Sequence, residues 1–122
     1  MRSVAGARLL LVEDELLVLL DLEDRLGEIG CRIAGKASNF SAAMGLATSL
    51  DIDAALIDLD LAGQPSYPVA DVLRKRGIPF LFSTGFHGEA VSDRYADCPL
   101  LIKPFETRDL EMALARLLEC HA

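Results

Sequence analysis

Four short stretches of this sequence bring reactive oxygen and nitrogen groups to the ends of apolar runs. The run RLLLV over 8–12 stops abruptly at Glu13, Asp14 and Glu15. The run over 54–57 stops at Asp58, with Asp60 two residues on. A third apolar stretch closes on Ser83, Thr84 and Gly85, and a fourth, over 100–102, closes on Lys103 and Pro104. Three carboxylates brought into one crevice either raise one another's proton affinity or hold a hard cation. An all-oxygen set with no nearby His or Cys favours magnesium, which keeps several waters for phosphate oxygens. A lysine across the same crevice can neutralise a transferred phosphoryl group, a threonine hydroxyl can hydrogen-bond to it, and a carboxylate can itself be the nucleophile.

That chemistry requires a scaffold that delivers all four stretches to one place. The continuous apolar runs read as strands buried on both faces, over 8–12, 32–36, 54–57, 78–82 and 100–102. Between them lie helical periods. Over 15–29, Leu16, Leu19, Leu20, Leu26 and Ile29 recur at helical spacing and Gly30 is the stop. A second helix begins at a Ser38 or Asn39 cap and runs to about residue 50. A third covers about 67–76 after a loop over 62–66, and Gly77 ends it. In the last, Leu110, Ala113, Leu114, Leu117 and Leu118 follow one face. The weakest segment, 86–98, is polar and reads as a short helix. Strands alternating with helices imply right-handed β-α-β crossovers and a parallel sheet covered on both sides. Ligand sites in such folds lie at the carboxyl ends of the strands. Glu13/Asp14, Asp58, Thr84 and Lys103 are all predicted at those ends.

In this order and placement, these residues make the chain resemble, over essentially its whole length, the receiver domain of bacterial two-component response regulators. The resemblance implies a flavodoxin-like (βα)5 three-layer sandwich with strand order 2-1-3-4-5, a single domain over 1–122 with its core at about 7–120. It implies that Asp58 is the phosphoacceptor, supplied by a histidine kinase, a histidine phosphotransfer protein or a small phosphodonor. Magnesium would be held by Asp14 and Asp58 directly, by Glu13 through water, and by the backbone carbonyl of Asp60. Lys103 would pair with the phosphoryl oxygens, its bond to Pro104 being cis, and Thr84 would move towards the phosphate on activation. Gly85 would be small so that the phosphoryl group can approach. Such a domain is a signalling module with intrinsic phosphorylation and dephosphorylation chemistry rather than a turnover enzyme.

Two features depart from the common receiver pattern. The position three residues before the lysine, usually Tyr or Phe, is Leu100, so the aromatic switch is missing. The run from Phe82 through Ser83, Thr84, Gly85, Phe86 and His87 resembles the Phe-Ala-Thr-Gly-hydrophobic-Tyr motif of a receiver subgroup that also lacks this aromatic and is tied to stress signalling, although Ser83 and His87 differ from it. Asp58-Leu59-Asp60 also matches the nucleophile motif of haloacid dehalogenase-type phosphatases, an alternative opposed by the early acidic pair and the lack of an acidic pair after Lys103. A second alternative is an interaction domain that works without phosphorylation.

The totals restrict partners. The formal net charge of −7 opposes binding to phosphate backbones or anionic lipid, so the expected partners are the phosphodonor and a downstream protein, with no nucleic acid and no membrane. Cys31, Cys98 and Cys120 contain no C-x-x-C pair and read as reduced thiols, two of them in the core. His87 and His121 lack spaced partners for a metal. No run is long enough to span a membrane, and the start over 1–8 has no signal-peptide apolar core because Arg8 interrupts it before Leu9, giving an expected cytoplasmic location. The Met1 start and short tail favour a stand-alone regulator over a receiver cut from a hybrid kinase.

Overall fold

The computed structural model describes residues 3–85 and 91–120. Phe86, His87 and His121, and the beginning of the helix expected over 86–98, lie outside these residues. One five-stranded sheet organises the chain: β1 (Arg8–Val12), β2 (Arg32–Ala37), β3 (Ala54–Asp58), β4 (Phe80–Thr84) and β5 (Leu100–Ile102). The strands are all parallel and stand in the order β2-β1-β3-β4-β5. This is the flavodoxin-like arrangement expected from the alternating pattern.

Side-chain alternation along the central strands divides the core into two layers. Leu9 and Leu11, Ala54 and Leu56, and Leu81 face α1 (Leu16–Glu28) and α4 (Thr107–Cys120), where they meet Leu22, Leu26, Leu110 and Leu114. Leu10 and Val12, Ala55 and Ile57, and Phe80 and Phe82 face α2 (Phe40–Ser49) and α3 (Tyr67–Lys75), meeting Ala43, Ala47, Val69 and Leu73. Each fully buried Leu or Phe contributes on the order of 1.5–3 kcal/mol.

Local signals account for the helix ends. The Asn39 side chain accepts from the Ala42 N–H at 2.8 Å and starts α2. Gly30, at φ +90°, reverses the chain after α1, and its backbone passes so near Ala5 that a Cβ would sit 3.2 Å from it. The Arg76 guanidinium donates to the carbonyls of Ala47 and Leu50, tying the end of α3 to that of α2.

The structure departs from the sequence reading in several places. β4 begins two residues later than expected and includes Ser83 and Thr84, because the Phe82 N–H still finds the Pro99 carbonyl and β5 pairs through Thr84. Leu16 and Leu20 are exposed at 63% and 45%, and the buried face of α1 is Leu19, Leu22 and Leu26. The described part of 86–98 forms a single 3-10 turn, Asp93–Tyr95, rather than a helix. Residues 60–65 form a hairpin of two-residue strands rather than an open loop. Of the cysteines with described side chains, Cys31 is buried and Cys98 only partly so.

Candidate functional site

The backbone ladder continues just past the strands and so fixes where the reactive side chains begin. Glu13 donates its N–H to the Ala37 carbonyl, Leu59 to Ser83 and Lys103 to Thr84, at 3.0, 2.8 and 2.7 Å. These bonds tie the end of β1 to β2, of β3 to β4 and of β5 to β4. The β3–α3 connection closes on itself, because both the N–H and the hydroxyl of Ser66 donate to the Leu59 carbonyl. Leu59 and Leu61 are buried beneath it as anchors.

Into this frame the chain places Glu13, Asp14 and Asp58 with one carboxylate oxygen of each within 4.8 Å of the others. Glu13 and Asp58 are buried, and Asp14 is half-buried at the rim. The Lys103 ammonium donates to Glu13 Oε1 at 2.5 Å and to Asp58 Oδ2 at 3.2 Å. The second oxygens are engaged as well. Asp58 Oδ1 accepts from the Asp60 N–H at 3.2 Å, and Glu13 Oε2 from the Glu15 N–H at 3.2 Å. Asp14, Glu15, Asp58, Asp60, Thr84, Gly85 and Lys103 line a cleft of about 200 Å³.

The electrostatics follow from burial. Desolvation pushes the Glu13 carboxyl up to about 7; the Lys103 hydrogen bond opposes this, and the neighbouring Asp58 adds to it. Burial works against the charge on Lys103, but its bonds to Glu13 and Asp58 prevail and hold it above the ordinary lysine value. The site is a dense acidic cluster neutralised by one lysine. An oxygen-only donor set of this kind, with an open mouth for water and phosphate, fits magnesium.

The structure thus brings together every residue read from the sequence as a strand-end candidate. Thr84 is buried at the end of β4, and Lys103–Pro104 is a cis bond. Gly85 lines the cleft, and a Cβ there would meet no atom of the described residues beyond its chain neighbours within 4 Å. Asp60 is exposed at the rim, at the start of the hairpin. Leu100 is half-buried and paired with Phe82.

Sequence reasoning missed one participant. The Ala62 N–H donates to Asp14 Oδ2 at 3.0 Å from a turn in which Ala62 and Gly63 both have positive φ, 51° and 87°. Two successive positive φ values are what a two-residue hairpin turn demands, and an Ala there is strained. The Ala62-Gly63 pair between Asp60-Leu61 and Gln64-Pro65 was the available signal.

No protein-family model matches the chain. It is 31% identical, over 94% of its length, to the transcriptional regulatory protein PdtaR of Mycobacterium tuberculosis. The chain spans 60% of the length of that relative. The solution structure of SdrG from Sphingomonas melonis Fr1 superimposes with a TM-score of 0.82 at 38% identity, covering 97% of this chain and 99% of SdrG. The BeF3-activated conformation of SdrG from Pseudomonas melonis Fr1 gives 0.79 at 38% identity, over 93% of this chain and 98% of that one. A response regulator receiver protein from Sinorhizobium medicae WSM419 gives 0.79 at 25% identity, over 96% and 98% of the two chains. With the strand order, the acidic cluster and the lysine opposite it already in view, the conclusion is that this chain belongs to the response regulator receiver domains, signalling modules rather than enzymes.

Proposed function

We propose that this receiver works in a two-component phosphorelay, with Asp58 as the phosphoacceptor and magnesium as the cofactor. The observation that carries the reading is the Asp58 carboxylate at the end of β3, within 4.8 Å of those of Glu13 and Asp14 and 3.2 Å from the Lys103 ammonium. Asp14, Asp58 and the Asp60 carbonyl would hold the ion, with Glu13 acting through water. The ion would offset charge on the phosphoryl oxygens and free a carboxylate oxygen for attack. An Asp58 oxygen forms the new bond to phosphorus while the bond to the donor's histidine nitrogen or acyl oxygen breaks, leaving an acyl phosphate. Lys103 and Thr84 then bind its oxygens. Water attack on phosphorus later restores the carboxylate and releases phosphate.

The donor in this reading is the phosphohistidine of a kinase or phosphotransfer protein. Leu16, Leu17 and Leu20, exposed at 63%, 81% and 45% on α1 directly after the acidic pair, offer it an apolar approach. The outgoing signal passes by protein contact to a downstream target, in the cytoplasm. Among the described residues no helix is long and apolar enough to cross a membrane. Family membership leaves the phosphatase alternative without support, and the assembled site argues against an interaction domain without phosphoryl chemistry. Incubation with acetyl phosphate and magnesium should add the mass of one phosphoryl group to the wild type and nothing to Asp58→Ala. An unmodified wild type, or an equal gain in the variant, would overturn the reading.

A further inference from the structure

An aromatic cluster beside β4 remains unexplained by the phosphoacceptor cleft. Phe80 and Phe82 project from one face of β4, and Thr84 continues their row, because residues two apart on a strand share a face. The Phe82 ring meets Tyr67 edge-on at 5.9 Å and Tyr95 edge-on at 5.6 Å, while Tyr67 and Tyr95 stack at 5.5 Å with planes 3° apart. Tyr95 is only 1% exposed although it lies in the 3-10 turn of a connecting segment. Polar contacts tie this segment to α3. The Tyr95 hydroxyl donates to Asp71, and Arg94 pairs with the other Asp71 oxygen at 3.1 Å. The Ser92 N–H donates to the Tyr67 hydroxyl at 2.8 Å. Arg74 lies over the Tyr95 ring at 4.3 Å and donates to the Arg94 carbonyl at 3.0 Å.

Close-packed interiors transmit displacement, since there is no void to absorb it. A movement of Thr84 along its strand therefore reaches the Phe82 ring, whose aromatic neighbours across the interface include Tyr67 and Tyr95. Leu100, paired with Phe82, has no polar tip with which to pass the movement on. We propose that Tyr95, anchored through its hydroxyl to Asp71, is the residue that couples a change at Thr84 to segment 92–98. The proposal rests on the phosphoacceptor reading and assigns a regulatory output to that same site.

The chain has no Trp, and its two tyrosines are Tyr67 and Tyr95, so a tyrosine-ring label reports on this cluster alone. The full chain, carrying ring-labelled tyrosine and labelled amides, is titrated with beryllofluoride and magnesium, and bound fluoride is read separately by fluorine NMR. In the wild type the Tyr95 ring and the amides of 92–98 shift as fluoride binds. Tyr95→Phe keeps the ring and loses the bond to Asp71. It should bind beryllofluoride as tightly as wild type while its 92–98 shifts fall by roughly half or more, as expected for loss of a coupling contact. Asp71→Asn should move the same way. Bound fluoride with an unmoved Tyr95 ring, or a full 92–98 response in Tyr95→Phe, overturns the coupling and leaves the phosphoacceptor site standing. No bound fluoride in the wild type overturns both.

Discussion

Replacing Glu13 with Gln should make the metal-free protein more stable at pH 8 than the wild type, and the margin should vanish in mild acid. Burial raises the Glu13 carboxyl from its ordinary 4.5 to about 7, with the Lys103 bond opposing and Asp58 adding to it. A group whose folded value is raised contributes stability below its unfolded value, and that contribution is lost as pH climbs through the folded value. The window is thus about pH 4.5 to 7. Each tenfold change in proton affinity is about 1.4 kcal/mol, so wild type should lose roughly 3 kcal/mol across the window relative to the variant, which has no carboxyl to ionise. In urea, with EDTA present, this corresponds to a midpoint displacement on the order of 1–3 M. Magnesium should narrow the difference at pH 8, because the ion favours the carboxylate form; at a hundredfold excess over its dissociation constant it supplies about 2.7 kcal/mol, close to the wild type's deficit. Parallel pH profiles for wild type and Glu13→Gln in EDTA would refute the reasoning, since they would mean that the carboxyl ionises without a desolvation cost.

Three further outcomes follow from the same structure. Lys103→Met keeps the stem and removes the ammonium from both Glu13 and Asp58, so labelling by acetyl phosphate should slow by roughly a hundredfold, the scale of losing one charge-stabilising donor; a rate within a few fold of wild type would count against a role for Lys103. Leu114→Ala, at a fully buried position between α4 and the sheet, should cost about 2–5 kcal/mol in chemical denaturation. Burial, with the Glu111 charge adding, holds the Cys31 thiol up at about 11, so with Cys98 and Cys120 changed to Ser it should resist disulfide reagents at pH 8 and react promptly once urea unfolds the chain.

The sequence revealed most where apolar runs end in polar groups. Runs such as RLLLV have no alternative partner but a sheet buried on both faces, and the side chain after such a run must emerge at the carboxyl edge. That is why Asp58, Glu13, Thr84 and Lys103 were legible without coordinates. The α1 face was misread because Leu16, Leu19 and Leu20 fit a helical period equally well, and only packing against α4 and β1 selects Leu19, Leu22 and Leu26. The Ala62 amide on Asp14 was hidden because backbone donors have no sequence signature of their own beyond the turn that aims them. Tyr95 was hidden for a related reason. A single aromatic in a polar segment has no periodicity, and its burial depends on Arg74 and Asp71 some twenty residues away.

Acceptance of the phosphoryl group by Asp58 with magnesium beside it is tested by site-resolved mass mapping of the wild-type chain after acetyl phosphate treatment, with magnesium or with EDTA. One acyl phosphate is expected, at Asp58, formed only with magnesium and absent in Asp58→Asn. A label on any other residue, or a label at Asp58 that forms as fast in EDTA, would contradict it.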